Sequence, residues 1–182
     1  GGCCIGMAIL SKQVALMEAG AWGLIILLMS KKEAYRRWYA LSLYVTGVLI
    51  PVLFVWIYFY TQGIVEDFIF YAWTYNTVYF LPSQTLSIRL LNNVKLLGEF
   101  FIDKPLLLVG IILASISLIR DTYHNFPNPW KIFASHQVGL FIWLGASLVG
   151  SLAGGRAFVH YLIPSMIPMS LVLAQEWDRW LQ

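Results

Sequence analysis

Three groups of residues have the types and spacing to do chemistry. Lys12 stands between two apolar blocks, with Glu18 about one and a half turns further on. The acidic pair Glu66 and Asp67 opens an aromatic segment, and the run Gly154-Gly-Arg-Ala-Phe-Val-His-Tyr161 separates two further apolar blocks. Ionisable residues at or within such a boundary are costly to place, so each group is a site candidate by default. Lys12 suits a phosphate as a point charge, with Glu18 to hold or tune it. The plainer reading, a snorkelling lysine that marks a helix end, comes first for that residue. Arg156 carries a planar fork matched to phosphate or carboxylate, and Gly154 and Gly155 let a backbone approach a ligand closely. His160 shares its face if the turn is helical, so the two can grip one anionic group. The plain alternative is a loop arginine and an interfacial histidine; the joint occurrence of Gly154, Gly155, Arg156, His160 and Tyr161 favours function. Glu66 and Asp67 have the chemistry of a general base, yet carboxylates at a helix N-terminus commonly answer its dipole, and structure is the better reading there. Asn76, between Tyr75 and Tyr79, suits a sugar or a lipid headgroup, against the reading of its neighbours as membrane anchors.

The elements that must position these residues follow from composition. The chain is 59% hydrophobic and 12% charged, whereas soluble domains carry roughly 45–50% apolar and about 25% charged residues. So few charges cannot build a soluble surface, and the apolar residues arrive in blocks, as a bilayer requires. The blocks are Gly1 to Leu10, Val14 to Met29, Tyr39 to Tyr60, Pro105 to Ile119, Val138 to Ala153, and Ala157 to Ala174. They predict an all-α integral membrane protein with one partial and about five complete transmembrane helices. Residues 1–182 read as part of a single polytopic domain, a fragment that begins inside a span and lacks an N-terminal part. Tyr39 to Tyr60 is the clearest span; Pro105 suits a helix start, and Pro164 and Pro168 would bend the last helix. If the spans alternate, the loops at 30–38, 120–131 and 175–182 share one side and hold Lys31, Lys32, Arg36, Arg37, Arg120, Lys131 and Arg179. The opposite side, at 11–13, 61–104 and 154–156, is longer and holds only Lys12, Arg89, Lys95, Lys104 and Arg156. Basic loops stay in the cytoplasm, so the sparser side faces outward.

The long connection at 61–104 lies on that outer side. Seven of the residues from Phe68 to Phe80 are aromatic, a density expected of an interfacial amphipathic helix at headgroup level. Asp67, Thr74 and Thr77 fall near one face of such a helix. The net charge of +3 is small and unevenly placed, so it sets topology and gives no reason to expect a nucleic-acid partner. Cys3 and Cys4 are adjacent, which suits neither a disulfide framework nor a metal site. There is no phosphate-cradling glycine loop with lysine, no G-x-S-x-G and no H-E-x-x-H, and no cofactor or metal is evident.

Gly6-Met-Ala-Ile-Leu-Ser-Lys12-Gln13 resembles the glycine-rich helix end and lysine of the membrane-embedded GT-C glycosyltransferases, in particular the bacterial branch related to protein mannosyltransferases and aminoarabinose transferases. Tyr75-Asn76 with Tyr79, after an acidic turn, is similar to their outer interfacial segment. Gly155-Arg156-Ala-Phe-Val-His160-Tyr161-Leu-Ile-Pro164, continuing to Pro168, looks like their late motif. The three matches run in the family's order over nearly the whole chain. What the resemblance implies is transfer of a sugar from a polyprenyl-phosphate carrier to an acceptor protein or lipid on the outer face of a bacterial inner or plasma membrane. Lys12, Arg156, His160, Tyr161 and Asn76 then become substrate-binding candidates, and membrane lipid and the lipid-linked sugar become partners. The family's acidic catalytic motif lies in an early outer loop with no counterpart here, so the catalytic base is expected before Gly1 and the fragment alone is expected to be inactive. A transporter or lipid flippase with a broken helix at Pro164 and Pro168 is the first alternative. The second is a non-catalytic subunit whose polar residues only join helices.

Overall fold

The computed structural model describes residues 1–29, 34–75, 85–124, 135–153 and 159–181, and every regular element among them is helical. Eight α-helices follow one another: α1 (Gly2–Ser11), α2 (Ala15–Met29), α3 (Ala34–Thr61), α4 (Val65–Ile69), α5 (Leu86–Asp103), α6 (Pro105–His124), α7 (His136–Leu152) and α8 (Ile163–Leu181). A π-helical turn, Phe70–Thr74, extends α4, and a 3-10 turn, Val159–Leu162, leads into α8. Two segments are long and apolar enough to cross a membrane, Tyr35–Thr61 in α3 and Pro105–Tyr123 in α6. The apolar helices Gly2–Ser11, Ala15–Leu28 and His136–Leu152 are shorter. The expected set of about five complete spans is therefore matched in length by two helices among the described residues.

Glycines set how closely α1 approaches α3. Gly2 and Gly6 sit one turn apart on one face of α1, the small-xxx-small spacing that lets two backbones meet. A Cβ at Gly47 of α3 would lie 3.2 Å from the Gly2 Cα, and one at Gly6 would enter the Val48 carbonyl and the Pro51 ring. The rest of α3 is open: most of its large apolar side chains, Leu43, Leu53, Phe54 and Ile57 among them, are exposed. The helix ends at Gly63, whose φ of +72° is the left-handed conformation that ends helices at little cost only for glycine. Ile64 N then donates to the Phe59 carbonyl at 3.1 Å, closing the turn into α4.

α2 lies between the α1–α3 pair and α7. The Tyr44 hydroxyl of α3 donates to the Ala19 carbonyl at 2.9 Å. On its other side, Trp22 meets Trp143 of α7 with ring centroids 5.0 Å apart. The apolar core is built from Leu96 and Phe100 of α5, Leu144 of α7, Leu162 of the 3-10 turn and Met169 of α8.

Three elements differ from the sequence expectation. The long connection at 61–104 contains α5, an 18-residue helix beyond the expected interfacial one. α5 places Leu96 and Phe100 inward, one turn apart, while Lys95 and Glu99 face out and pair at 3.8 Å. Such an amphipathic helix carries too many charges to register as an apolar block. The π turn also breaks the 3.6-residue register between Asp67 and Thr74, so the two cannot be assigned to one face by α-helical counting. Thr77 lies outside the described residues. At the other end of the chain, α8 continues to Leu181, so 175–181 is helix where a loop was expected.

Candidate functional site

Lys12 stops α1. Its backbone is extended, with φ −150° and ψ 126°, while its N–H still donates to the Ala8 carbonyl at 2.8 Å. The side chain is thus launched from a helix end into open space, and it is exposed. Its Nζ lies 5.6 Å from the centroid of the Tyr161 ring, within cation–π reach. Tyr161 belongs to the 3-10 turn, which is pinned by the fully buried Leu162, and its ring lies 4.5 Å from that of the exposed His160. Three of the residues singled out in the sequence therefore meet, although Lys12 is near one end of the chain and the other two are near the opposite end. Gly154, Gly155, Arg156 and Asn76 lie outside the described residues, so the Arg156–His160 grip and the sugar contact of Asn76 lie there too.

Gln13 ties this corner to the aromatic segment. Its Nε2 donates a hydrogen bond to the Ala72 carbonyl in the π turn. A π turn disturbs the regular ladder of backbone bonds, and here one of its carbonyls is held by a side chain from another element. Between the end of α1, the second half of α3, α4 and the π turn lies a cleft of about 800 Å³. Its charged lining residues are Lys12 and Asp67; Trp56, Phe59, Tyr71 and Trp73 supply much of the apolar wall. Lys12 and Asp67 do not pair. Among the described residues the ion pairs are Lys95–Glu99, Arg120–Asp121, Arg179–Asp121 and Arg179–Glu176. Sequence reading gave Asp67 a helix-dipole role; α4 does carry Glu66 and Asp67 in its first turn, and Asp67 also opens onto the cleft.

Glu18, the residue that could hold or tune a phosphate-binding Lys12, is engaged elsewhere. Glu18 sits in the first turn of α2, and its Oε1 accepts a 2.8 Å hydrogen bond from the Ser147 hydroxyl of α7. The turn between α1 and α2 separates the two residues, and α2 directs the carboxylate at its packing partner.

A second polar cluster was not anticipated. Glu176 of α8 is 2% exposed. Its carboxylate accepts from the Ser117 hydroxyl at 2.7 Å, the Arg179 guanidinium at 3.1 Å and the Gln137 amide at 3.4 Å. Arg179 also donates to Gln137 Oε1 at 3.1 Å and pairs with Asp121 at 3.4 Å. Gln137 completes the cluster by donating to the Ala114 carbonyl at 2.9 Å. A carboxylate so surrounded by donors is a clamp joining α6, α7 and α8. The i,i+3 spacing of Glu176 and Arg179 was its only sequence signal. No protein-family model, characterised protein or solved structure matches the chain.

Proposed function

We propose that the chain is the carrier-binding portion of a membrane-embedded glycosyltransferase, which moves a sugar from a polyprenyl-phosphate carrier to an acceptor on the outer face of the membrane. One observation carries this reading. Lys12 and the His160–Tyr161 pair, which belong to two of the three stretches that resemble the GT-C family, share one corner, and Lys12 also lines a cleft of ligand size. In this reaction the acceptor oxygen forms a bond to the anomeric carbon as the bond from that carbon to the carrier phosphate breaks. The phosphate leaves with the electron pair, and a carboxylate takes the acceptor's proton. Lys12 and Arg156 neutralise the charge growing on the departing phosphate, with His160 in support. Tyr161 holds the Lys12 ammonium over its ring, and Asn76 contributes a contact to the sugar or the headgroup.

The same reading places about five crossings in the membrane, with loops 30–38 and 120–131 in the cytoplasm. The turns beside Lys12 and Tyr161 then face outward. The transporter reading gains no specific support, since α8 runs unbroken through Pro168 and Pro164 sits in its first turn.

The test is sugar transfer by the full-length protein in membranes, with a polyprenyl-phosphate-linked sugar as donor. Lys12→Ala and Arg156→Ala are each expected to lower turnover by about a hundredfold, the scale for removing one preorganised charge-stabilising group, with unchanged membrane insertion. Normal turnover in both variants would sink the assignment.

A further inference from the structure

The cleft carries one charge more than a phosphate site needs. Lys12 accounts for an anion, but Asp67 lines the same space, is exposed and pairs with no cation among the described residues. A carboxylate facing a bound phosphate without a donor between them would repel it. The contradiction disappears if the occupant is anionic at one end and rich in hydrogen-bond donors at the other. The walls agree with such a molecule: Trp56, Tyr71 and Trp73 offer flat apolar faces, and the Gln13 bond to Ala72 fixes the π turn that carries Tyr71 and Trp73. An aromatic face against C–H groups, with a carboxylate accepting from neighbouring O–H or N–H groups, is a recognition set for a pyranose ring.

We infer that Asp67 is the sugar-reading residue of this cleft, accepting hydrogen bonds from hydroxyl or amino groups of the carrier-borne sugar while Lys12 holds the carrier phosphate. This rests on the glycosyltransferase reading and adds to it a residue that selects among sugars. Asp67 is thereby a binding residue and not the base that deprotonates the acceptor.

Binding and turnover together test it. Full-length protein in detergent is titrated with bare undecaprenyl phosphate and with undecaprenyl phosphate carrying glucose, mannose, galactose or aminoarabinose, with bound lipid read by native mass spectrometry. Wild-type protein is expected to bind at least one sugar-bearing lipid about tenfold more tightly than the bare phosphate, the scale of a hydrogen bond to a charged group. Asp67→Ala and the isosteric Asp67→Asn should each erase most of that preference while leaving affinity for the bare phosphate unchanged. Lys12→Ala should weaken all the lipids alike. The inference is overturned if the Asp67 variants keep the wild-type preference, or lose affinity for bare and sugar-bearing lipid equally. It is also overturned if they bind normally and lose turnover in kcat alone, the signature of a missing base. If wild-type protein binds none of the lipids, the glycosyltransferase reading itself fails, which is a different result from a silent Asp67.

Discussion

Lys12 and Glu176 are both ionisable, yet their surroundings assign them opposite tasks. The Lys12 ammonium is exposed and steadied by an aromatic face, so it remains free to meet a ligand. A cation–π contact at such a site contributes about 0.5–1 kcal/mol. Tyr161→Phe, which keeps the ring, should therefore leave carrier binding near wild type, whereas Tyr161→Leu should weaken it by roughly two- to fivefold. Equal losses in the two variants would point to the hydroxyl and away from the ring. Glu176 is buried among three donors, and truncating one partner of such a cluster strands the others. Glu176→Ala should cost about 3–5 kcal/mol, seen as a lower unfolding midpoint in detergent, with Glu176→Gln falling between it and wild type. Sequence pointed to Lys12, His160 and Tyr161 because a lone lysine and a packed glycine–arginine–histidine run stand out among apolar blocks. Glu176 was invisible as a clamp because its partners come from α6, α7 and α8, and only folding brings them together.

At the scale of elements, the position of the site depends on how closely α1 can lie on α3. Gly6→Ala would drive a methyl group into the Val48 carbonyl and the Pro51 ring, so α1 must move outward. Overpacking of this kind costs about 1–3 kcal/mol. Because Lys12 follows six residues later on the same rod, the shift should also weaken phosphate binding. Gly20 in α2 provides the control: a Cβ there meets nothing within 4 Å. Gly20→Ala should be neutral or stabilising by up to about 1 kcal/mol, since alanine is the better helix former. Thermal unfolding of the two variants in one detergent checks both expectations, and equal midpoints would remove the close-crossing argument. Long apolar blocks announced α3 and α6 clearly, because length and composition suffice for a helix that faces an apolar medium. The helix α5 went unread because its apolar residues are periodic and not contiguous. The π turn was equally hidden, since nothing in an aromatic run marks where the backbone adds a residue to its turn.

For the whole molecule, the two polar clusters lie at opposite ends of one helix. α8 begins beside the His160–Tyr161 turn and reaches Glu176 and Arg179 in its last two turns. At 1.5 Å per residue that is about 20 Å of helix to Glu176 and about 24 Å to Arg179, against the roughly 30 Å hydrocarbon thickness of a bilayer. In the proposed topology, the charge bias of the loops puts the clamp on the cytoplasmic side and the Lys12–Tyr161 corner on the outer side. This topology predicts a labelling pattern. In a variant with Cys3 and Cys4 replaced by serine, a cysteine at Gln62, beyond the end of α3, should react with a membrane-impermeant maleimide in intact cells. One at Tyr123, at the end of α6, should react only after permeabilisation. The opposite pattern would invert the protein and turn the Lys12–Tyr161 corner toward the cytoplasm, while labelling of both sites in intact cells would deny that α3 and α6 end on opposite sides of a membrane.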